Sequence, residues 1–217
     1  MNLLLYGAPG SGKGTQANTL RSHFGIPHIA TGDMLRAEIK AGTLLGRKAQ
    51  PIVAAGEYVS DDIIIGMVRN RLSQADCERG FIMDGFPRTV PQAEALDSLV
   101  GELNAPLDRV VYLKVDMEEL LRRLSGRLVC PHCQRSYPPA TVGCETDGSE
   151  LVQREDDKAE AVKPRIEIYL RQTVPVLDHY RVEGLVSEIY GRGTIDEITR
   201  EVLAAINGSV APRKRTA

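Results

Sequence analysis

The residues best equipped for chemistry stand near the start of the chain, in Gly7-Ala8-Pro9-Gly10-Ser11-Gly12-Lys13-Gly14-Thr15. An apolar run, 3–6, precedes them, and a helix-patterned stretch, 16–24, follows. A strand, a glycine loop closing on a lysine, and a helix together make a phosphate-binding loop. Glycines let successive backbone N–H groups turn inward around an anion, and the helix start adds positive partial charge. Lys13 supplies a mobile cation for β- and γ-phosphates. A flexible glycine-rich surface turn is the plainer alternative, and the strand–helix context argues against it. The strict pattern places Ser or Thr directly after the lysine. Here Gly14 stands there and Thr15 comes one later, which leaves the usual hydroxyl ligand for Mg2+ open.

A second group is Phe81-Ile82-Met83-Asp84-Gly85-Phe86-Pro87-Arg88-Thr89. An apolar strand would deliver Asp84 to its carboxyl end, close to the loop, where an aspartate orients Mg2+ directly or through its water shell. The competing reading is a turn that Asp84 opens with Gly85 and Pro87. A third group pairs Cys130-Pro131-His132-Cys133 with Cys144-Glu145-Thr146-Asp147. Two ligand-x-x-ligand knuckles are structural zinc spacing, and three thiolates with one carboxylate oxygen complete a tetrahedron. His132 is the rival fourth ligand, strained between two chelating cysteines; three reduced cysteines without metal are the alternative. A small insertion with little core would draw most of its stability from such an ion, remote from the chemistry. Cys77 is alone and reads as a packed thiol.

The chain has 217 residues, 42% of them hydrophobic, enough for one sizeable core with small inserted pieces. Its formal net charge of −2 gives no global basic field for nucleic acid, so a polyanionic substrate needs locally placed Lys and Arg. No apolar run approaches the roughly 20 residues that span a bilayer, and no export signal pattern opens the chain. A cytoplasmic protein without nucleic-acid or membrane partners is therefore expected, with its four cysteines reduced or metal-bound.

The elements that must position these groups alternate. Strand-like segments fall at 3–6, 81–83, 110–115 and, more weakly, 185–189. Helical stretches fall at 16–24, 61–77, 90–99, 117–124, 167–183 and 195–206. This predicts an α/β fold on a parallel sheet with helices on both faces, whose ligands bind beyond the carboxyl ends of the strands. Two segments break the alternation. Residues 31–59 are helical in pattern with Gly42, Gly46 and Gly56 at helix ends. Residues 127–157, rich in Pro, Gly, Cys and turn formers, predict an irregular or β-type insertion. Arg154 and Arg165 would share one face of a continuous helix, but Pro164 predicts a kink or break at 160–163. The tail at 211–217 reads as a frayed, solvated end.

Together the motifs resemble the adenylate kinase family of nucleoside monophosphate kinases. The resemblance rests on GAPGSGKGT (7–15), TGDMLR (31–36), GEYVSDD (56–62), GFIMDGFPRT (80–89), QAEAL (92–96), RRLSGR (122–127) and LVQREDD (151–157). The GKGT form of the loop is itself the family's, so Gly14 fits the resemblance. It implies a P-loop nucleoside triphosphate hydrolase-like core (1–29, 60–126 and 161–217), an NMP-binding insertion (30–59) and a lid (127–160) carrying the zinc knuckles. It also implies transfer of the terminal phosphoryl group from Mg-ATP to AMP, giving two ADP, by a monomer.

By the same resemblance Gly10, Ser11, Gly12, Lys13, Gly14 and Thr15 hold the ATP phosphates. Arg123 and Arg127 close over ATP, with Ser136, Tyr137 and Gly193 as weaker contacts. Thr31, Arg36, Glu57, Tyr58, Val59, Gly85, Phe86, Pro87, Arg88 and Gln92 form the AMP pocket. In it Gln92 reads the adenine edge while Arg36 and Arg88 hold the α-phosphate. Arg154 and Arg165 sit on the phosphoryl in transfer, Asp84 handles Mg2+, and Cys130, Cys133, Cys144 and Asp147 hold zinc, since many relatives carry zinc in the lid, some with Asp as the fourth ligand. The chemistry agrees: phosphoryl transfer spreads charge over equatorial oxygens and needs fixed cations and excluded water rather than a nucleophilic side chain. Arginine forks suit that task, whereas Arg21 and Arg71 read as solvated surface charges. A kinase for UMP or CMP, one using GTP as donor, and a zinc-knuckle nucleic-acid binder are the competing functions.

Overall fold

The computed structural model describes residues 1–208, so the tail at 211–217 lies outside the described residues. Its centre is a five-stranded parallel sheet. The strands are β1 (Asn2–Gly7), β2 (His28–Ala30), β3 (Phe81–Asp84), β4 (Arg109–Lys114) and a last strand, Val186–Tyr190. Across the sheet they run β2, β3, β1, β4 and then Val186–Tyr190. In β1 successive side chains point to opposite faces. Leu4 and Tyr6 join an apolar cluster with Met83 and Val110, while Leu3 and Leu5 join another with Ile82 and Val111. Both faces are therefore covered, as a parallel sheet of continuous apolar strands requires.

Helices α1 (Lys13–Phe24) and Ile195–Asn207 cover the Leu3 face through Ala17, Leu20, Ile198 and Val202. The Leu4 face is covered by helices Asp61–Leu72, Val90–Glu102 and Val174–Val182, through Val68, Leu96 and Tyr180. The chain leaves β1 toward β2 on one side and leaves β3 toward β4 on the other. That divergence opens a crevice at the carboxyl ends of β1 and β3, where Gly7 and Asp84 stand.

Of the two expected insertions, the first holds α2 (Thr31–Lys40) and α3 (Leu44–Ala54). Thr43 caps α3, accepting from Gly46 N at 2.9 Å. Gly46 is small because α3 crosses the end of α2: a Cβ there would lie 2.0 Å from the Glu38 carbonyl oxygen. Leu35, Ala49 and Val59 share the cluster on the Leu4 face, so this segment is packed onto the sheet's own core. The second holds two short antiparallel strands, Leu128–Val129 and Ser136–Tyr137, with a bridge from Val129 to Val152. It has a small cluster of its own, built on Cys130, Tyr137 and Cys144.

Four sequence expectations need correction. Residues 28–30 form a strand that the pattern did not signal. The helix expected over 61–77 stops at Leu72, followed by a 3-10 turn at Ala75–Cys77. The stretch over 167–183 is divided by a π turn, Tyr169–Thr173. There Pro175, in the first turn of Val174–Val182, has no N–H to continue an α ladder. The break expected at 160–163 also moves. Helix Ala159–Ile168 runs with Pro164 inside it, and the chain breaks just before, at extended Lys158. Arg154 and Arg165 therefore sit on separate elements.

No helix among the described residues is long and apolar enough to cross a membrane.

Candidate active site

The loop between β1 and α1 turns on Gly10 and Gly12, both with positive φ, of 83° and 96°. A Cβ on Gly10 would come within 2.9 Å of Leu124, so the loop's tightness is enforced by what packs behind it. No side chain caps the start of α1 and no acidic residue occupies its first turn. The positive end of the helix is thus left for an anion from outside. Lys13 Nζ donates to the carbonyls of Gly7 and Ala8, at 2.7 and 3.0 Å. Burial pulls its pKa down to about 8, Arg88, Arg165 and Arg127 add to that, and Asp84 opposes it.

Asp84 is delivered by the end of β3. Its Oδ2 is 3.3 Å from His28 Nε2 and 4.0 Å from where a Cβ on Gly14 would stand. Burial resists its charge, but the His28 contact and the cations Lys13 and Arg88 prevail, holding its pKa at about 2. A carboxylate ionised at every ordinary pH thus faces the phosphate loop. This is a donor of the type that Mg2+ takes, directly or through water.

One cleft joins this corner to the first inserted segment. Lys13, Arg36, Arg88, Arg127, Arg154 and Arg165 line it, against three carboxylates, Glu57, Asp84 and Asp156. In a chain of net charge −2, that excess of cations marks a place built for a polyanion. The arginines are held by acidic partners. Asp157 accepts Arg127 Nε and Nη2 at 2.7 and 2.5 Å and Arg165 at 3.0 Å. Asp156 pairs with Arg165 at 2.7 Å. Asp33 pairs with Arg36 and, at 3.8 Å, with Arg154. Arg88 Nε donates to the Gly85 carbonyl at 2.6 Å, and its guanidinium lies 4.8 Å above the Tyr58 ring. Burial, with Arg36 and Arg127 nearby, lowers the Arg154 pKa to about 10, and burial lowers that of Arg165. Crowded cations in a poorly hydrated cleft gain from any incoming anion.

Thr31, Glu57, Tyr58, Val59, Gly85, Phe86, Pro87 and Gln92 line the same cleft. Thr31 donates to the Gly85 carbonyl at 2.8 Å. The buried Gln92 amide is fixed at both ends: Oε1 accepts from Arg88 N at 2.8 Å and Nε2 donates to Asp61 at 2.6 Å. Arg123 stands outside the lining, its Nε on Glu119 and its Nη2 on the Gly191 carbonyl at 2.9 Å. A Cβ on Gly191 would lie 3.4 Å from the Ser11 carbonyl oxygen, so the residue that Arg123 bonds stands beside the loop. Ser136, Tyr137 and Gly193 do not line the cleft either. Ser136 is exposed, Tyr137 turns its hydroxyl to Cys144 Sγ at 3.3 Å, and Gly193 precedes the capped helix Ile195–Asn207.

Asp33, Asp156, Asp157, Tyr169 and Thr173 were not singled out in the sequence. Thr173 sits at the end of the π turn, 2.9 Å from the Tyr58 hydroxyl and donating to the Arg88 carbonyl at 3.1 Å. The two aspartates stood inside the LVQREDD string; a carboxylate pair beside an arginine was the available signal.

Away from the cleft, the sulfurs of Cys130, Cys133 and Cys144 lie within 4.8 Å of one another. Asp147 carboxylate oxygens reach 3.7 and 3.8 Å from Cys130 Sγ. Backbone N–H groups of His132, Cys133 and Thr146 aim at the sulfurs, each at 3.4 Å. Three sulfurs this close are compatible with a metal ion, while Asp147, expected as the fourth ligand, stands outside the group whose donor atoms all lie within 4.8 Å of one another.

A family model described as adenylate kinase matches residues 5–185. The chain belongs to the adenylate kinase family. The matched span opens inside β1 and ends after Val174–Val182, so it takes in the loop, Asp84 and both inserted segments. An adenylate kinase of Methanocella arvoryzae is 49% identical over 212 residues, covering 95% of this chain and 98% of that protein. One of Trichlorobacter lovleyi is 50% identical over 212 residues, with 95% and 99% covered. One of Brevibacillus brevis is 46% identical over 214 residues, with 96% and 100% covered. Family membership accounts for the α/β core; at position 14 a Cβ would lie 4.0 Å from Asp84 Oδ2.

Proposed function

We propose that this chain transfers the terminal phosphoryl group of Mg-ATP to AMP, reversibly, giving two ADP. The observation that carries the reading is the single cleft in which the phosphate loop, Asp84 and five arginines converge. Gly10, Ser11, Gly12, Lys13, Gly14 and Thr15 hold the ATP phosphates, and Arg123 and Arg127 close on them. Arg36 and Arg88 hold the AMP phosphate, and Arg154 and Arg165 face the group in transfer. With no nucleophilic side chain required, the rate comes from alignment and from fixed positive charge on the equatorial oxygens. Asp84 would hold Mg2+, whose charge supplies further neutralisation of the phosphates when bound.

Gln92 gives the acceptor its identity. Its amide keeps one N–H and one oxygen lone pair after Asp61 and Arg88 N are satisfied. Those match the acceptor and donor on the Watson–Crick edge of adenine, a pair that cytosine shares on a smaller ring, and oppose the pattern of guanine and of uracil. Segments 30–59 and 127–160 act as covers on a core of 1–29, 60–126 and 161–217, closing to exclude water. Cys130, Cys133, Cys144 and Asp147 would hold a structural Zn2+ in the second cover. A cytoplasmic monomer remains the reading of the sequence.

The test is a coupled assay for ADP with AMP, GMP, CMP and UMP offered at equal concentration. AMP is expected to be the preferred acceptor, and equal rates with UMP would remove the proposal.

A further inference from the structure

Among the described residues, Arg36, Arg127, Arg154 and Arg165 each pair with an aspartate, whereas Arg88, the fifth arginine of the cleft, pairs with none. Uncharged groups orient it instead. Its Nε donates to the Gly85 carbonyl at 2.6 Å, and its guanidinium carbon lies 4.8 Å from the centre of the Tyr58 ring. A ring face attracts a cation through its quadrupole. A carboxylate would cancel the charge it holds; a ring leaves that charge for an incoming anion.

The ring is itself held in place. Gly56 turns with a φ of 76° so close to helix Ala159–Ile168 that a Cβ there would lie 2.8 Å from the Ala161 carbonyl oxygen. Two residues on, the Tyr58 hydroxyl is 2.9 Å from Thr173 Oγ1. Thr173 is buried and ends the π turn, a kind of turn that recurs at functional sites. A threonine hydroxyl has one proton to give. Thr173 gives it to the Arg88 carbonyl, at 3.1 Å, so Tyr58 is the donor in its own bond to Thr173. The contacts close on themselves: Tyr58 to Thr173, Thr173 to the Arg88 backbone, and the Arg88 guanidinium back to the Tyr58 ring. Packing alone would account for the ring, but not for a hydroxyl aimed at the one side chain that grips the Arg88 backbone.

We propose that Tyr58 and Thr173 are positioning residues for Arg88, fixing its guanidinium toward the acceptor's phosphate without neutralising it. Their role rests on the reading that Arg88 holds the AMP phosphate.

Calorimetry of AMP and ATP binding compares the wild type with Tyr58→Leu, Tyr58→Phe, Thr173→Val, Thr173→Ser, Arg88→Ala and the double variant Tyr58→Leu/Arg88→Ala. Tyr58→Leu is expected to raise the Kd for AMP about tenfold, the size of a poorly hydrated cation–ring contact, with the Kd for ATP unchanged. Tyr58→Phe and Thr173→Val each raise it about fivefold, for one lost hydrogen bond. Thr173→Ser, which keeps the hydroxyl, matches the wild type. In the Arg88→Ala background Tyr58→Leu has no further effect, because the residue it acts through is gone. Wild-type AMP binding by Tyr58→Leu, an equal loss of ATP affinity, or a tenfold loss that persists without Arg88 would overturn the pair. Wild-type AMP binding by Arg88→Ala would overturn the reading of Arg88, and the pair with it.

Discussion

Asp157 grips Arg127 by two hydrogen bonds, of 2.7 and 2.5 Å, with its own side chain fully buried. The same carboxylate reaches Arg165. A buried anion thus sets the positions of two cations that face the cleft, without lining the cleft itself. Replacing it by Asp157→Asn leaves two guanidinium groups short of a counter-charge and free to shift. A displacement of about 1 Å at a reacting centre can cost roughly a hundredfold. We expect kcat to fall by about that factor with a smaller change in KM for AMP. Loss of one partner from a buried pair should lower stability by about 3–5 kcal/mol. Steady-state kinetics and thermal melts check both.

Lys13 yields a prediction in protons. Its pKa is lowered to about 8 in the ligand-free fold, so near pH 8 only part of the population is charged. A bound triphosphate favours the ammonium form and raises the pKa again. ATP binding at pH 8 should therefore take up protons, and ATP affinity should weaken as pH rises through 8. Calorimetry in buffers of different ionisation enthalpy measures the uptake. It should vanish in Lys13→Met, and proton release would contradict the assignment.

Asp61 tests the acceptor reading. It accepts from Gln92 Nε2 at 2.6 Å and from Thr89 at 2.9 Å. Asp61→Asn no longer dictates which end of the Gln92 amide faces the nucleotide. Loss of one such charge-assisted bond corresponds to roughly tenfold. KM for AMP should rise by about that factor, and the preference over GMP should narrow, as acceptor competition assays will show.

The cysteine cluster makes a claim about stability. Metal analysis of protein purified without added metal should find about one zinc per chain. Cys133→Ser should lose it and melt at lower temperature, while phosphoryl transfer survives at temperatures where the variant is folded. Zinc absent from the wild type would remove the claim.

The sequence was most legible where a pattern had to be local. Gly7 to Thr15 announced a loop because strand, glycines, lysine and helix are consecutive. The parallel core followed from apolar runs such as 3–6, which both faces of the sheet bury. What stayed hidden depends on partners distant in the chain. His28–Ala30 is a three-residue edge strand whose pairing comes from β3, far along the sequence. The π turn at Tyr169–Thr173 comes from Pro175 acting on a backbone that otherwise reads as helix. Asp157 looked like one of several acids until the fold set it behind Arg127. Pro164 misled in the opposite way: helix Ala159–Ile168 accommodates it, and the break comes one step earlier, at Lys158.

Whether this cleft moves a phosphoryl group between two adenine nucleotides is read from ADP formation from ATP with and without AMP, in wild type and Lys13→Met. AMP-dependent formation of two ADP for each AMP consumed is expected, reduced roughly a thousandfold by the substitution. AMP-independent turnover, or a Lys13→Met protein as active as the wild type, would contradict it.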